Sequence, residues 1–227
     1  MGALVYVIVG YSQLWLAALI AYFCGCFNGA VIVSKYILRD DVRTHGSGNA
    51  GLTNFFRTFG GPLTLVVILT DVLKAVVAIL ISLWLGGMFD PRLMAEGPLE
   101  NQTMILVFFK YWGGLFCLLG HMFPCMFRFK GGKGILSGGT IAIMIDWRVA
   151  LVVWGGFLIL AVLTRYVSLG SCWAGASFPF ITWFVYRSVP VTVLSVIIGG
   201  LILYMHRGNI HRLLTGTENK FTLHKKS

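Results

Sequence analysis

Residues 63–86 read LTLVVILTDVLKAVVAILISLWLG, an apolar run that carries two ionisable side chains, Asp71 and Lys74. A helix needs roughly 20 mainly apolar residues to cross the hydrocarbon core of a bilayer, and this run is long enough. Ionisable groups in such surroundings are costly and are usually paired. We therefore predict a transmembrane helix in which Asp71 and Lys74 form an ion pair, with a proton relay as the alternative.

The same pattern recurs through the 227-residue chain, which is 57% hydrophobic and 11% charged. Soluble domains carry about 25% charged residues, so this composition predicts an all-α integral membrane protein. Seven transmembrane helices are predicted, at about 11–36, 63–86, 104–124, 135–147, 149–165, 172–187 and 189–206. Because the fourth segment is short, five or six spans are the alternatives. Residues 1–227 are expected to form one domain, with an external loop at about 88–103.

The positive charge is unequally divided between the two sides of this arrangement. No Lys or Arg precedes the first apolar run, so that run is expected to stay as a helix and not to be removed as a signal peptide. With the amino terminus outside, thirteen Lys and Arg residues fall on the cytoplasmic side and four on the other. The positive-inside rule therefore predicts an external amino terminus and a cytoplasmic carboxyl terminus. This distribution favours anionic lipid or substrate as the partner, and not nucleic acid.

The five cysteines form no C-x-x-C pair and lie mostly within apolar segments. They are expected to be reduced thiols that pack as small hydrophobic groups. Cys24 and Cys26 have no matching second pair, so no metal site is expected.

The first cytoplasmic segment contains Gly46, Gly48 and Gly51, a G-x-G-x-x-G spacing with no preceding strand. The spacing is therefore weak support for a dinucleotide site. Glycines still allow successive N–H groups to converge on an anion, which favours phosphate binding. Further donors in this segment come from the side chains of Arg43, Ser47, Asn49, Thr53, Asn54 and Arg57. The alternative is an ordinary cytoplasmic turn.

The second cytoplasmic segment runs from His121 through Gly131, Gly132 and Lys133 to Gly134. Its spacing does not fit a nucleotide-binding P-loop. A lysine among glycines at the start of an apolar helix nevertheless suits a phosphate, because the helix N-terminus adds partial positive charge. For His121, a structural role is the alternative to a catalytic one.

Two further segments complete the cytoplasmic side. Ser168 and Ser171 are three residues apart and would share one helical face, with a helix cap as the alternative. His206 and Asn209 share a face at the end of the last span and precede Arg212, with a solvated basic tail as the alternative. Four segments rich in glycine, amide and cationic groups on one membrane face together predict an anion site.

At these residues the chain resembles the bacterial acyl-phosphate:glycerol-3-phosphate acyltransferases, the PlsY family. The matching motifs are Asp41-x-Arg43-x-x-Gly46-Ser47-Gly48-Asn49-x-Gly51-x-Thr53-Asn54-x-x-Arg57, Gly120-His121-x-x-Pro124 with Gly131-Gly132-Lys133-Gly134, and Arg207-Gly208-Asn209-Ile210-x-Arg212-Leu213-x-x-Gly216-Thr217-Glu218-x-Lys220. The resemblance covers about 14–220. Residues 88–103 look longer than is usual in the family, and Ile135-Leu136-Ser137 replaces a Val-Ala-Thr-like sequence.

The resemblance implies transfer of a fatty acyl group from acyl phosphate to the 1-hydroxyl of glycerol 3-phosphate, which gives 1-acylglycerol 3-phosphate and phosphate. It also implies a seven-helix fold in the bacterial cytoplasmic (inner) membrane, with the site facing the cytoplasm. Membrane lipid is the expected surrounding, and neither a cofactor nor an obligatory protein partner is expected.

The similarity and the chemistry together assign residue roles. The expected catalytic residues are His206, Asn209, Lys133 and Arg43. The expected substrate-binding residues are Ser34, Ser47, Asn49, Thr53, Asn54, Arg57, His121, Gly131, Gly132, Ser168, Ser171 and Arg212. The proton acceptor for the glycerol hydroxyl stays open between His206, His121 and a substrate phosphate oxygen. No nucleophile with an adjacent base is evident in the sequence, so an acyl-enzyme is not expected.

Two other functions fit parts of the pattern. An anion transporter or channel would explain many spans and a basic face, but it favours sites near the midplane and internal repeats. A lipid-binding scaffold would need the basic surface without the amides and serines. The H-x-x-x-x-D motif of the thioester-using glycerolipid acyltransferases is absent at the three histidines considered. The residues five positions after His45, His121 and His206 are Ala50, Met126 and His211.

Overall fold

The computed structural model describes residues 2–88 and 99–221, and those residues form helices, turns and loops without a β-strand. The amino-terminal half contains α1 (Gly2–Cys26), α2 (Gly29–Ile32) with a π-helical turn (Val33–Ile37), a 3-10 turn (Val42–Thr44), α3 (Leu52–Thr58) and α4 (Leu63–Leu83) with a second π-helical turn (Trp84–Met88). The rest contains α5 (Leu99–Met122), a 3-10 turn (Cys125–Phe127), α6 (Ile135–Ile145), α7 (Trp147–Thr164), α8 (Val167–Tyr186), α9 (Val189–Met205) and α10 (Arg207–Leu214).

Each of the seven predicted segments contains a helix, but not all of these helices are long enough to cross a bilayer unaided. Four helical stretches in the described ranges have the length and hydropathy of a span, at Ser12–Ile37, Leu63–Gly87, Gln102–Phe127 and Trp147–Thr164. A fifth exists if α9 and α10, which are bent by 60°, count as one. The 11 residues of α6 cover about 16 Å, against a hydrocarbon core of about 30 Å.

The helix boundaries differ from the predicted segments at two places. The first segment breaks after Cys26, where the Asn28 side chain accepts a hydrogen bond from Val31 N (3.1 Å) and begins α2. The sixth begins earlier than predicted, at Val167, and the Ser171 hydroxyl donates to Val167 O (2.9 Å) within its first turns. Of the predicted external loop at 88–103, residues 89–98 lie outside the described ranges, and 99–103 belong to α5.

The core lies where α4, α5 and α6 meet α1 and α9, and it includes the buried side chains of Tyr111, Leu118, Ile141 and Ile198. One close helix approach joins α1 and α5. A Cβ added at Gly120 would meet the backbone of Tyr22 and would lie 3.0 Å from the carbonyl carbon of Gly25. Small residues at such crossings let helix backbones approach closely, which is a main source of packing energy between membrane helices.

The glycine–lysine segment at 121–134 folds back along the end of α5. Gly131 N donates to Met122 O (3.1 Å) and Gly132 N donates to His121 O (3.1 Å). Gly134, which has φ +77°, lies beside the side chains of Leu118 and Met122. As a result α6 begins about one turn inside the end of α5, and the preceding loop reaches into the helix bundle.

Candidate active site

A cavity of about 990 Å³ opens at the end of the bundle where residues 45–58, 121–136, 167–171 and 206–220 meet. Its polar lining includes His45, Ser47, Asn49, Thr53, Asn54, Arg57, Asp71, His121, Lys133, Ser168, Ser171, His206, Asn209, Arg212, Glu218 and Lys220. Its apolar lining includes Ile135, Leu136, Trp154 and Phe157. The cavity therefore joins a wall of amides and cations to a wall of aliphatic and aromatic side chains.

The glycine loop at 46–51 is ordered by one buried amide side chain. Asn54 Nδ2 donates to Val42 O (3.0 Å), His45 O (3.1 Å) and Asn49 O (3.1 Å), and Asn54 Oδ1 accepts from Ser47 N (3.1 Å). Gly46 has φ +56°, a left-handed conformation that favours glycine, and a Cβ there would collide with the Asn54 amide oxygen. The conformation of this loop therefore depends on the Asn54 side chain.

Arg43 and Ser34 are not among the residues that line the cavity. The Arg43 guanidinium forms an ion pair with Asp41 (2.7 Å) and donates to Phe127 O (2.9 Å) and Lys130 O (3.2 Å). Hydrogen bonds from Arg43 lower the pKa of Asp41. Buried Ser34 accepts from Val42 N (3.1 Å). These side chains hold the first cytoplasmic segment against α2 and against the second segment.

Gly131 and Gly132 hold the loop against α5, because their N–H groups donate to α5 carbonyls. A Cβ at Gly132 would collide with the His121 imidazole and would lie 2.6 Å from Ala50 O. Glycine at this position is therefore required by the close approach of three segments. Lys133, the next residue, lines the cavity.

A hydrogen-bonded network of charged and amide groups extends along the cavity wall, from Lys133 just before α6 to Glu218 in the tail. Lys133 Nζ donates to Asn209 Oδ1, Asn209 Nδ2 donates to Glu218 Oε1 (2.7 Å), and Arg212 Nε donates to Glu218 Oε2 (2.6 Å). Burial is the main cause that lowers the pKa of Lys133, and the nearby Arg212 adds to it. Burial alone would raise the pKa of Glu218, but hydrogen bonds led by that from Asn209 lower it. Two cations and one carboxylate thus meet here.

A second network lies deeper, between α4 and α5. Lys74 Nζ donates to Asp71 Oδ1 (2.7 Å), to His121 Nδ1 (2.7 Å) and to Phe27 O (3.2 Å). The ion pair predicted between Asp71 and Lys74 is confirmed, and both side chains are buried, at 3% and 4% exposure. His121 joins the pair from 47 residues away.

Of the histidines that line the cavity, His121 and His206 use the same ring nitrogen in opposite ways. His121 Nδ1 accepts from the Lys74 ammonium, so a neutral His121 carries its proton on Nε2 and presents a donor. His206 Nδ1 lies 2.8 Å from Ile202 O, a carbonyl that can only accept, so Nδ1 carries the proton there. The Nε2 of a neutral His206 is then an acceptor.

The structure therefore brings together most of the site residues predicted from sequence, and adds several that the sequence did not single out. Ser168, Ser171, His206, Asn209 and Arg212 line the same cavity as Lys133 and the first loop. Glu218 stood in a family motif but carried no predicted role. Trp154 and Phe157 had no signal, because an aromatic residue on an apolar helix looks the same whether it faces lipid or a cavity.

The family described as glycerol-3-phosphate acyltransferase matches residues 15–216. A glycerol-3-phosphate acyltransferase of Thermoanaerobacter pseudethanolicus is 36% identical over 205 residues, covering 90% of this chain and 94% of that protein. One from Fusobacterium nucleatum is 35% identical over 202 residues, covering 89% and 95%.

Two solved structures are similar to this chain. Both are crystal structures of PlsY (YgiH), an integral membrane glycerol 3-phosphate acyltransferase. The glycerol 3-phosphate form has a TM-score of 0.76 and 32% identity, covering 92% of this chain and 96% of that one. The lysophosphatidic acid form has a TM-score of 0.73 and 31% identity, covering 92% and 95%.

Proposed function

Because this chain belongs to the glycerol-3-phosphate acyltransferase family and is an integral membrane acyltransferase, we propose that acyl phosphate is its acyl donor and that the cavity described above is its active site. The acceptor is glycerol 3-phosphate, and the products are 1-acylglycerol 3-phosphate and inorganic phosphate. The enzyme thereby contributes to phospholipid synthesis. The whole chain, 1–227, acts as one domain and needs no cofactor.

The observation that carries this proposal is the two-sided lining of the cavity. Lys133, Arg212, Asn209 and the serines offer donors to phosphate groups, and the side chains of Trp154 and Phe157 offer an apolar wall to an acyl chain. Both substrates of the proposed reaction are phosphorylated and one carries a fatty chain. A volume of about 990 Å³ is at the upper end of ordinary ligand sites, which suits two substrates together.

The predicted site residues then divide into two groups. Those proposed to contact substrate line the cavity: Ser47, Asn49, Thr53, Arg57, His121, Lys133, Ser168, Ser171, His206, Asn209 and Arg212. Those proposed to act by holding the loops in place are Ser34, Arg43, Asn54, Gly131 and Gly132. Asn54 belongs to this second group although it lines the cavity, because its amide is fully engaged by the loop backbone. The second group explains how a residue outside the cavity can still be essential, because displacing either loop would move the groups in the first.

In the proposed reaction the 1-hydroxyl oxygen of glycerol 3-phosphate attacks the carbonyl carbon of acyl phosphate. A carbon–oxygen bond to the acceptor forms, and the bond to the phosphate oxygen breaks with its electron pair going to the phosphate. Positioning and fixed cations can supply on the order of several kcal/mol of barrier reduction for such a step. An already activated donor needs little acid help, which fits a site built from cations and amides.

The hydroxyl proton must also be accepted. His121 is unsuited to this, because its Nδ1 is occupied by Lys74 and its Nε2 carries a proton. A donor at that position would instead stabilise negative charge on the substrates. His206 Nε2 and an oxygen of a substrate phosphate are the acceptors that remain.

We also propose seven spans, with an external amino terminus, a cytoplasmic carboxyl terminus and the site on the cytoplasmic side of the bacterial inner membrane. Four segments of the chain meet at one cavity and so lie on one side of the membrane. The chain must therefore cross the membrane an even number of times between one segment and the next. α4 with α5, α6 with α7, and α8 with α9 supply such pairs, and α1 supplies the seventh. The early start of α6 inside the bundle accommodates its short length.

The experiment is acceptor-dependent phosphate release from acyl phosphate by purified protein in detergent or lipid. Release that does not depend on glycerol 3-phosphate would refute the proposed reaction. Lys133→Ala should lose most of the activity, roughly 100-fold or more for a fixed cation at the reacting centre. Arg43→Ala should also lose most of the activity, because the loops that Arg43 joins would be displaced. Lys130→Ala is the matched control, since its side chain is exposed in the same loop. Full activity in both Lys133→Ala and Arg43→Ala would refute the site assignment.

A further inference from the structure

The carboxylate of Glu218 lies among the groups that the proposed function assigns to phosphate. Its side chain is 8% exposed, lines the cavity, and accepts from Asn209 Nδ2 (2.7 Å) and from Arg212 Nε (2.6 Å). A carboxylate at such a place opposes the binding of a phosphorylated substrate by charge repulsion. Its presence therefore calls for a compensating role.

The orientation of the Asn209 amide suggests that role. The Lys133 ammonium has only donors, so it must meet the amide oxygen, and the amide NH₂ must then point the other way. Glu218 Oε1 is the acceptor that receives it. Without an acceptor there, the amide NH₂ loses its partner, and only the hydrogen bond from Lys133 holds the amide in this orientation.

Arg212 is held in a comparable way. Its Nε donates to Glu218 Oε2, which leaves the two terminal nitrogens of the guanidinium for another anion. Because the Arg212 side chain lines the cavity and is 39% exposed, a substrate phosphate can reach those nitrogens.

Glu218 is itself fixed by the tail segment that carries it. Thr217 N donates to Arg212 O (2.8 Å), and Phe221 N donates to Arg165 O (2.8 Å). The rings of Phe221 and Phe56 stack with centroids 6.3 Å apart. These contacts on both sides of Glu218 tie the tail to α10, to the start of α8 and to α3.

We propose that Glu218 is a positioning residue for the phosphate of glycerol 3-phosphate, which it serves by fixing the Asn209 amide toward Lys133 and the Arg212 fork toward the cavity. This rests on the proposed function. The alternative role for Glu218 is that of an internal anion, which occupies the phosphate site until a substrate phosphate displaces it. The two roles predict opposite effects on substrate binding when the Glu218 charge is removed.

The test compares Glu218→Gln, Glu218→Asp and Asn209→Ala with the wild type, with Thr215→Ala as an exposed control in the same tail. The readouts are kcat, the KM for each substrate, and the rise in melting temperature caused by inorganic phosphate. Glu218→Gln should raise the KM for glycerol 3-phosphate roughly tenfold or more, the size expected for a hydrogen bond to a charged group, and should reduce the phosphate-induced rise. Glu218→Asp should restore part of both effects.

A double variant checks the route of the effect. Because Glu218 acts partly through Asn209, the combination of Glu218→Gln with Asn209→Ala should be less harmful than the product of the single effects. An unchanged or lowered KM for glycerol 3-phosphate in Glu218→Gln would overturn the proposal. If Glu218→Gln does not fold, an unchanged KM in Glu218→Asp overturns it equally. A wild type without acceptor-dependent release would refute the proposed function instead, and the phosphate-induced melting shift would still test Glu218.

A separate observation concerns two neighbouring thiols, one at the end of α1 and one in the 3-10 turn that follows α5. Cys26 Sγ, at the end of α1, lies 3.9 Å from Cys125 Sγ, which follows Pro124. Cys26 is fully buried and Cys125 is exposed. A disulfide needs the sulfurs about 2.05 Å apart, so closure requires a movement of roughly 2 Å in a turn outside the helices.

We infer that Cys26 and Cys125 form a reversible disulfide that joins α1 to the segment carrying Lys133. A small-molecule disulfide is the oxidant. The Cys125 thiolate attacks it, a mixed disulfide forms and one small thiol leaves; the Cys26 thiolate then attacks Cys125 Sγ and releases the second. One disulfide is made and one is reduced, so the electrons balance. Exposure assigns Cys125 as the thiol that attacks the oxidant, and buried Cys26 as the resolving thiol.

Cystamine treatment of the purified protein, followed by alkylation and mass spectrometry, tests this assignment. The wild type should protect both thiols without keeping an adduct, and a reductant should restore both. Cys26→Ser should keep one cystamine-derived adduct at Cys125, whereas Cys125→Ser should leave Cys26 free. Cys24→Ser, on the same helix, should behave as the wild type. Alkylation of both thiols, or a lasting adduct on the wild type, would overturn the inference.

Discussion

Replacing Asp71 by Asn removes the negative charge from the buried pair while keeping an oxygen that Lys74 can donate to. In the native structure Lys74 Nζ has partners in Asp71 (2.7 Å), His121 (2.7 Å) and Phe27 (3.2 Å). The variant keeps these hydrogen bonds but leaves an ammonium that is 4% exposed without a counter-charge. Lys74→Met makes the opposite change, because it strands the Asp71 carboxylate and leaves His121 Nδ1 without its donor.

Removing one partner of a buried ion pair costs about 3–5 kcal/mol, because the other charge remains buried and uncompensated. We expect Asp71→Asn near the lower end, since its hydrogen bonds survive, and Lys74→Met near the upper end. For chains of this size about 1 kcal/mol corresponds to roughly 2–4 °C in the unfolding midpoint, so the single variants should melt roughly 6–20 °C lower. The double variant carries neither charge and should be more stable than either single one.

Thermal unfolding in one detergent, followed by circular dichroism, measures this. Arg148→Met is the control, because Arg148 also pairs with an aspartate but its side chain is 50% exposed, and its midpoint should stay that of the wild type. A single variant that melts within about 2 °C of the wild type would contradict the reasoning. So would a double variant that melts below both single ones.

Three further outcomes are expected. Burial lowers the pKa of Lys133 below 10.5, so the affinity for glycerol 3-phosphate should fall as pH rises through that lowered pKa. The Lys133→Arg variant keeps its charge, so its KM for glycerol 3-phosphate should stay low further toward about pH 10. Gly120→Ala places a Cβ against the backbone of Tyr22 and should lower the melting temperature, whereas Gly200→Ala, with no atom within 4 Å, should not. Asn54→Asp replaces an NH₂ that serves three carbonyls by an oxygen, and activity should fall roughly tenfold or more while the helical circular dichroism is retained.

The positions of the helices follow almost entirely from sequence, because membrane insertion depends on local composition. The second predicted span, 63–86, contains α4 at Leu63–Leu83. Hydrocarbon offers no partner to a backbone polar group, so an apolar stretch of this length has few alternatives to a helix. The prediction missed the early start of α8 and the break after Cys26, where the Asn28 side chain begins a new helix.

The membership of the cavity wall could be predicted only in part. Sequence selected Lys133, Asn209 and Arg212, which meet at one wall. It selected Arg43 equally, and only the fold turns that guanidinium toward Asp41 and two carbonyls instead. A guanidinium has the same chemistry in both places, so its role depends on which partners the tertiary structure brings near.

The amino-acid sequence by itself thus determined a helical membrane protein of a known acyltransferase family and the pairing of Asp71 with Lys74, and it selected the four segments that meet at the cavity. Those features depend on composition and on neighbours within one helical turn. The tertiary structure decided that His121 joins the pair, that α6 begins inside the bundle, and that Glu218 stands among the cations. Each of these is a contact between elements far apart in the chain, and such contacts arise from packing that no local pattern encodes.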